Sequence, residues 1–396
     1  MLDAYDSAAP TSRALRHGAG AAAVLLGLAV LLAAVALTSR AEAKKVPNGF
    51  FGIAPGVAHL DSRDYAKMGK AKIKACRVWV YWKSVEPQQG VYQWAGVDAQ
   101  VGALAKNGVT PILMIWGAPQ WATGSVNPGV PPLTGTAELA WRSFLKTAVE
   151  RYGNGGAYWQ ENPDLQPEPV ESWQIWNEPN LPKYFAKNDT DPPKSVPKTA
   201  KSYAKLVKSS DEAIGRADSH GQVILAGLSS KVKQKKLAPN TFIKKFLKTK
   251  RITKHFSAAA LHPYAPKISK YASRIAKFRK AMNKSGAQNK PIWLTEVGWG
   301  SKHGHGNLNK GKSGQAKLLK QSFNLTLEKR HKWGIDRLLW FDWRDPPRDN
   351  PVGCSFCPSA GLLTSNGIPK PSYRQFKQFA RMQGKGGGGH RHRRQR

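Results

Sequence analysis

Cysteine is scarce: three residues in a chain of 396, which excludes a small domain held together by disulfides. Acidic residues are also few, 25 Asp and Glu against 62 Lys and Arg, for a formal charge of +37. No fixed-period repeat runs through the chain, and its composition excludes collagen-like and coiled-coil architectures. A glycine-rich phosphate loop is missing as well, because Gly49-Phe50-Phe51-Gly52 lacks the G-x-G-x-x-G spacing. What is present is apolar mass. Hydrophobic residues make up 41% of the chain and 14 tryptophans stand among them, enough to build a core despite the charge.

One long apolar run exists, Ala19 to Leu37, preceded by Arg13 and Arg16 and followed by Ala41-Glu42-Ala43. That order describes a secretory signal with cleavage after Ala43. The run is also nearly long enough to span a bilayer, so an uncleaved anchor through residues 19–37 is the alternative. Either reading places the rest of the chain outside the cytoplasm or on the cell envelope. The first 43 residues carry three arginines against three acids, so the basic charge belongs to residues 44–396. At the other end, Gly384 to Arg396 is a glycine linker with a His/Arg tip and no apolar periodicity, expected to be disordered. The expected organisation is a signal or anchor over 1–43, one domain over 44–382 and a tail over 383–396.

Within that domain, short apolar runs alternate with amphipathic segments. The runs at 50–54, 75–81, 110–116, 172–177, 222–226, 257–261, 291–295 and 336–341 read as parallel strands covered on both faces. Helical spacing comes after each of them, at 61–69, 97–107, 136–152, 199–217, 241–250, 270–284, 314–332 and 372–382. Asn107-Gly108 and Trp333-Gly334 read as helix stops, and Thr136 as an N-cap with Glu138 in the first turn. Eight strands, each with a helix after it, are the count of a single (β/α)₈ barrel, and a doubly wound open sheet is the structural alternative.

Chemistry in such a barrel sits at the C-terminal strand ends. The fourth strand runs into Asn177-Glu178-Pro179-Asn180 and the seventh into Glu296-Val297-Gly298-Trp299. A glutamate at a strand end is ordinarily just solvated. Two of them on strands that face each other across a barrel mouth, among tryptophans on which sugar rings can stack, supply the two carboxyls that cleavage of a glycosidic bond requires.

The segments WQIWNEPN (Trp173 to Asn180) and WLTEVGWGS (Trp293 to Ser301) resemble the two signature segments of glycoside hydrolase clan A, retaining (β/α)₈ enzymes. Arg77 to Trp94 and Ile112 to Ala122 are similar to family 39 and its relatives, which include bacterial exopolysaccharide-cleaving endoglycosidases. The resemblance runs from Gly49 to about Phe379. It implies Glu178 as general acid/base and Glu296 as nucleophile. It also implies Asn177 on the hydroxyl beside the anomeric carbon and Arg77 paired with the nucleophile. His262 and Tyr264 are expected near the two carboxylates, and Trp340 or Trp343 as the eighth-strand sugar platform, with the register left open.

Other residues invite weighing. Glu86 reads as turn chemistry, and Trp82, Trp116 and Trp121 as loop packing or sugar platforms. His59 is a further subsite candidate, and Asp342 and Asp345 read as holding Arg344 and Arg348. Cys76 reads as a buried thiol and Cys354/Cys357 as a local disulfide. One C-x-x-C with the nearby His303 and His305 is too little for zinc, so neither metal nor cofactor is expected. The lysine run Lys231 to Lys236 reads as a solvated face. The charge of the whole chain points further, to an anionic partner such as acidic exopolysaccharide or cell-wall polymer. Nucleic acid is not expected, since no binding motif accompanies the charge. The expected function is therefore an exported retaining glycosidase acting on a poly- or oligosaccharide. A non-catalytic carbohydrate- or wall-binding barrel is its rival.

Overall fold

The computed structural model describes residues 46–56, 60–186, 196–232, 234–304, 306–347 and 354–384. The apolar run at 19–37, His59, His305, Arg348 and the basic tip of the tail lie outside the described residues. Two compact units divide the chain, residues 1–46 and 47–396, and the second holds every strand and helix named among the described residues.

Its eight strands are β1 (Phe51–Ile53), β2 (Ala75–Tyr81), β3 (Thr110–Trp116), β4 (Ser172–Ile175), β5 (Gln222–Ser229), β6 (Ala258–His262), β7 (Ile292–Val297) and β8 (Ile335–Trp340). They pair in sequence order, all parallel, and β8 returns to β1 through Phe51 opposite Leu338 and Ile53 opposite Trp340. The sheet is a closed barrel and has no edge. One principal helix succeeds each strand: α1 (Ser62–Lys70), α2 (Ala95–Lys106), α3 (Gly135–Tyr152), α4 (Val196–Ala217), α5 (Pro239–Leu247), α6 (Ile268–Asn283), α7 (Gly311–Trp333) and α8 (Pro371–Ala380). The (β/α)₈ expectation is borne out, and the open sheet falls.

Local chemistry explains the element ends. Asp61 caps α1, accepting from the Arg63 and Asp64 amides, and the Asp64 side chain reciprocates on the Asp61 amide. Gly108 and Gly334 adopt left-handed φ values of 61° after α2 and α7, where a side chain would be strained. The expected start of α3 needs correcting: the N-cap is Thr134 rather than Thr136, and Glu138 pairs with Lys205 at 3.0 Å.

Inside the barrel the lower layers are small and apolar, with Ala54, Ala75, Ile112, Ile224, Ala258, Ala260, Trp293 and Leu339 in one buried cluster. The layer above is polar. Arg77, Gln174, His262, Thr295 and Glu296 are all buried there, so the floor is a packed core and the chemistry sits on top of it.

Candidate active site

Arg77 lies in the middle of β2, at period-two spacing from Trp79 and Tyr81, so the three share one face. Its guanidinium is buried and donates to Glu296 Oε1 at 2.5 Å and to Gln174 Oε1 at 3.4 Å. Gln174, on β4, in turn donates to the Leu225 carbonyl and to Thr295 Oγ1. His262, the last residue of β6, stands with Nε2 3.1 Å from Thr295 Oγ1 and Nδ1 2.9 Å from Glu178 Oε1. The same Nδ1 lies 3.4 Å from Glu296 Oε2. Tyr264 donates its hydroxyl to Glu296 Oε2 at 2.7 Å. A continuous polar network from four strands therefore orients both carboxylates.

Room for this network comes from β5. A side chain at Gly227 would drive its Cβ into the His262 ring, so only glycine leaves the imidazole its position. The register of β5 against β6 shifts between Ile224 and Gly227, which brings Ser229 opposite His262.

Glu178 stands just beyond β4 on a constrained backbone: Trp176 has φ 74° and Glu178 φ 39°, both left-handed for residues with side chains. The Trp176 ring is fully buried and packs on Trp116, Trp141 and Phe185. Asn180 holds the far end by accepting from the Ser229 amide and donating to the Ser229 and Leu237 carbonyls. The strained turn is thus pinned on both sides. Asn177 is 3% exposed and its Oδ1 has no hydrogen-bond partner among the described residues, an orphan acceptor of the kind a ligand hydroxyl would satisfy.

The electrostatics differ between the two acids. Burial by itself pushes the Glu296 carboxyl up. His262, the Arg77 guanidinium and the hydrogen bonds from Arg77 and Tyr264 overcome it and hold Glu296 below the ordinary glutamate range. Tyr264 is raised well above the tyrosine range, first by its own burial and then by the Glu296 charge, so it remains a donor. Glu178 and Glu296 keep 8% and 7% exposure, enough for a reacting atom to reach them and little enough to limit water.

One oxygen of Glu178, one of Glu296 and a nitrogen of His262 lie within 4.8 Å of one another. Those atom types could ligate a metal ion. The buried Arg77 guanidinium already occupies Glu296 and repels a second cation there, so the trio suits proton and sugar chemistry better.

Six of the expected site residues, Arg77, Asn177, Glu178, His262, Tyr264 and Glu296, gather at this point. Trp340 and Trp343 do not, and both need correcting as sugar platforms. Each is 0% exposed. Trp340 packs between Trp299 and Phe323, while Trp343 donates to Asp64 Oδ1 and meets Tyr373 edge-on. Phe341, just beyond β8 and between them in sequence, lies instead on the side of Tyr264, 6.3 Å from its ring.

The expected aspartate pairs need correcting too. Asp345 pairs with Lys370 at 2.6 Å, Arg344 pairs with Asp64 at 2.8 Å, and Asp342 accepts from the Gly56 and Trp343 amides. Glu86 is buried in its own turn, accepting from Trp82 Nε1 and the Gly90 amide, and Trp82 is core. Trp121 is tied to the Glu86 carbonyl. Cys354 and Cys357 form a disulfide, and Cys76 is a buried free thiol.

Sequence reading misses an aromatic wall. Trp79, Tyr81, Trp116 and Tyr184 are half-buried; Trp79 stacks on Tyr81, and Trp116 meets Tyr81 and Tyr184 edge-on. Of the four, only Trp116 is a candidate on sequence grounds. For Trp79 and Tyr81 the signal is available in their period-two spacing from Arg77. Burial and then the charges of Glu178 and Glu296 raise the Tyr184 hydroxyl, placing that ring beside the acids.

Comparison with known proteins meets this geometry from outside. The family model described as glycosyl hydrolase catalytic core matches residues 142–373. The chain belongs to that family. No curated protein sequence matches it.

Among solved structures it is similar to a family 39 glycoside hydrolase from Bacteroides cellulosilyticus WH2, at TM-score 0.60 and 21% identity. That match covers 85% of this chain and 64% of the other, so this chain spans under two thirds of that relative's length. GH5_18 from Streptomyces cattleya, in complex with GlcNAc, matches at TM-score 0.59 and 15% identity over 85% of this chain and 80% of its own. A GH39 β-xylosidase from Caulobacter crescentus matches at 0.57 and 16%, over 86% and 73%.

Proposed function

We propose that this protein is a retaining glycosidase that hydrolyses O-glycosidic bonds of a polysaccharide or oligosaccharide by double displacement. The observation that carries the reading is the closeness of Glu178 and Glu296 oxygens, within 4.8 Å. Retaining enzymes place their carboxyls about 5–5.5 Å apart, whereas inverting enzymes leave about 6.5–9.5 Å for a water.

Glu296, kept ionised, attacks the anomeric carbon while Glu178 protonates the departing glycosidic oxygen. The C–O bond breaks and a glycosyl ester forms on Glu296. Glu178, now a carboxylate, takes a proton from water; that water attacks the same carbon and releases Glu296. Arg77 and Tyr264 hold Glu296 and stabilise its charge, His262 spaces the two acids, and Asn177 offers its free acceptor to the adjacent sugar hydroxyl. Phe341 and the wall of Trp79, Tyr81, Trp116 and Tyr184 present apolar ring faces for the sugar.

The substrate reading includes an anionic polymer, in keeping with the net charge of +37. Export through residues 1–43 is part of the same proposal; the Cys354–Cys357 bridge supports an oxidising compartment.

The test uses aryl β-glycosides and bacterial polysaccharides. Glu296→Gln is expected to lower kcat by about 10⁴-fold while binding persists, and NMR of the first product is expected to show the β-anomer. Inverted product, or a Glu296→Gln variant with near wild-type turnover, would sink the proposal. Absence of turnover across the panel would favour the binding-protein reading instead.

A further inference from the structure

Between Asp218 and Glu328 the sequence contains one acidic residue, Glu296. That stretch supplies β5, β6 and β7 and the helices α5, α6 and α7, each helix with its lysines. One side of the barrel is therefore rich in cations and poor in carboxylates, Glu328 near the end of α7 being paired with Lys329 and Asp211 with His255.

The lysine run after β5 belongs to this side and begins at the barrel mouth. Its root is fixed, because Ser229 is held by Asn180 and the Ser230 amide donates to the His262 carbonyl. From there the Lys231 ammonium reaches over the Phe356 ring, 5.2 Å from its centroid. Phe356 sits inside the Cys354–Cys357 bridge and packs on Tyr264 at 5.1 Å and on Phe341 at 6.1 Å. Tyr264 is the donor to Glu296.

Among the described residues Lys231 forms no ion pair, and Glu178 is the carboxylate whose charge it feels. Surrounding protein desolvates the ammonium and holds it below the ordinary lysine range, with the Glu178 charge opposing that shift. Beside it, the Ser230 hydroxyl is buried, 8% exposed, and has no partner among the described residues. Lys231 is itself exposed, so its ammonium at the rim of the mouth is open to an anionic ligand, and the neighbouring residue's buried hydroxyl lacks a partner.

We infer that Lys231 forms an anion subsite that selects substrates bearing a carboxylate or ester sulfate on a sugar unit next to the scissile bond. This rests on the glycosidase reading and adds its substrate class. Lys231 acts here in specificity, while Glu178 and Glu296 carry the reaction.

The test separates the two readings by measuring binding apart from turnover. Three β-linked oligosaccharides serve as probes: one containing glucuronate, the same oligomer with its carboxyls reduced to alcohols, and a sulfated form. Binding is measured by calorimetry on Glu296→Gln and on Glu296→Gln carrying Lys231→Met, Lys231→Arg or, as a control for overall charge, Lys280→Met.

At least one anionic probe is expected to bind about tenfold more tightly than the reduced one. That ratio is expected to fall towards one in Lys231→Met and to survive in Lys231→Arg and Lys280→Met. A preference confined to glucuronate or to the sulfated form identifies which group the subsite takes. Equal binding of charged and neutral probes overturns the inference, as does a preference that Lys231→Met leaves intact. Binding with the expected ratio but no wild-type hydrolysis would instead sink the glycosidase reading, and hydrolysis without the ratio would spare it.

Discussion

Asp342 shows how one position acquires a property its residue type does not have. It comes two residues after β8, is buried, and accepts from the Gly56 and Trp343 amides through Oδ1. Burial raises its carboxyl to about 7, against the pull of those two amides. The unfolded chain releases this proton near pH about 4 and the folded protein only around neutrality. Stability therefore falls as pH rises between those values and levels off above the upper one.

Asp342→Asn keeps the acceptor oxygen and removes the titration. Its stability, followed by melting at each pH, is expected to gain on the wild type between pH 4 and pH 8 by on the order of a few kcal/mol. A gap that does not change with pH would exclude this account. Single residues also mark where reading a sequence stops working. Glu296, Arg77 and Tyr264 were legible as neighbours of one another, whereas Trp340 and Trp343 were not legible as core. Tryptophan serves both roles, and only the facing of its strand position decides which.

At the scale of elements, strand existence and order were legible and strand ends were not. β5 is expected from its sequence to stop at Ala226, since glycine in a strand pattern reads as a break. It continues to Ser229 because Gly227, Leu228 and Ser229 pair with β6 beyond a register shift. β4 is expected to reach Asn177 and stops at Ile175, where the backbone turns left-handed at Trp176. β7 runs on to Val297, so Glu296 lies within the strand, its charge met by Arg77 and Tyr264.

Each displaced end serves the site. Gly227→Ala is expected to push the His262 ring, destabilise the fold by about 1–3 kcal/mol and reduce kcat about tenfold or more through misplacement of the two acids. Gly96→Ala, with open space at that position on α2, is expected to be neutral or slightly stabilising. Equal effects of the two substitutions on kcat, measured beside their melting curves, would remove the role assigned to the cradle.

For the whole molecule, charge and fold act over different ranges. Exposed lysines such as Lys244, Lys245, Lys277, Lys280, Lys317 and Lys320 stud α5, α6 and α7, the side of the barrel that is poor in acids. Their field acts before any contact and decays within a Debye length, about 10 Å at 0.1 M salt and 3 Å at 1 M. Retention on an immobilised anionic polysaccharide is expected at low salt and lost by about 1 M. Hydrolysis of a small neutral aryl glycoside is expected to change little over the same range. Retention indifferent to salt would contradict the electrostatic partner.

By itself the sequence determined that eight strands alternate with eight helices and that two glutamates stand near the C-terminal ends of the fourth and seventh strands. Hydrophobic periodicity and the local chemistry of caps and turns act between near neighbours, so they can be read along the chain. The matched family segment begins at residue 142, after Arg77, Trp79 and Tyr81. Only barrel closure carries these β2 residues to the acids of β4 and β7. Tertiary structure alone decided which tryptophans became core, which aromatic residues became wall, and that an unpaired lysine would stand beside the reaction centre. Those outcomes depend on contacts between distant residues, and no local pattern encodes such contacts.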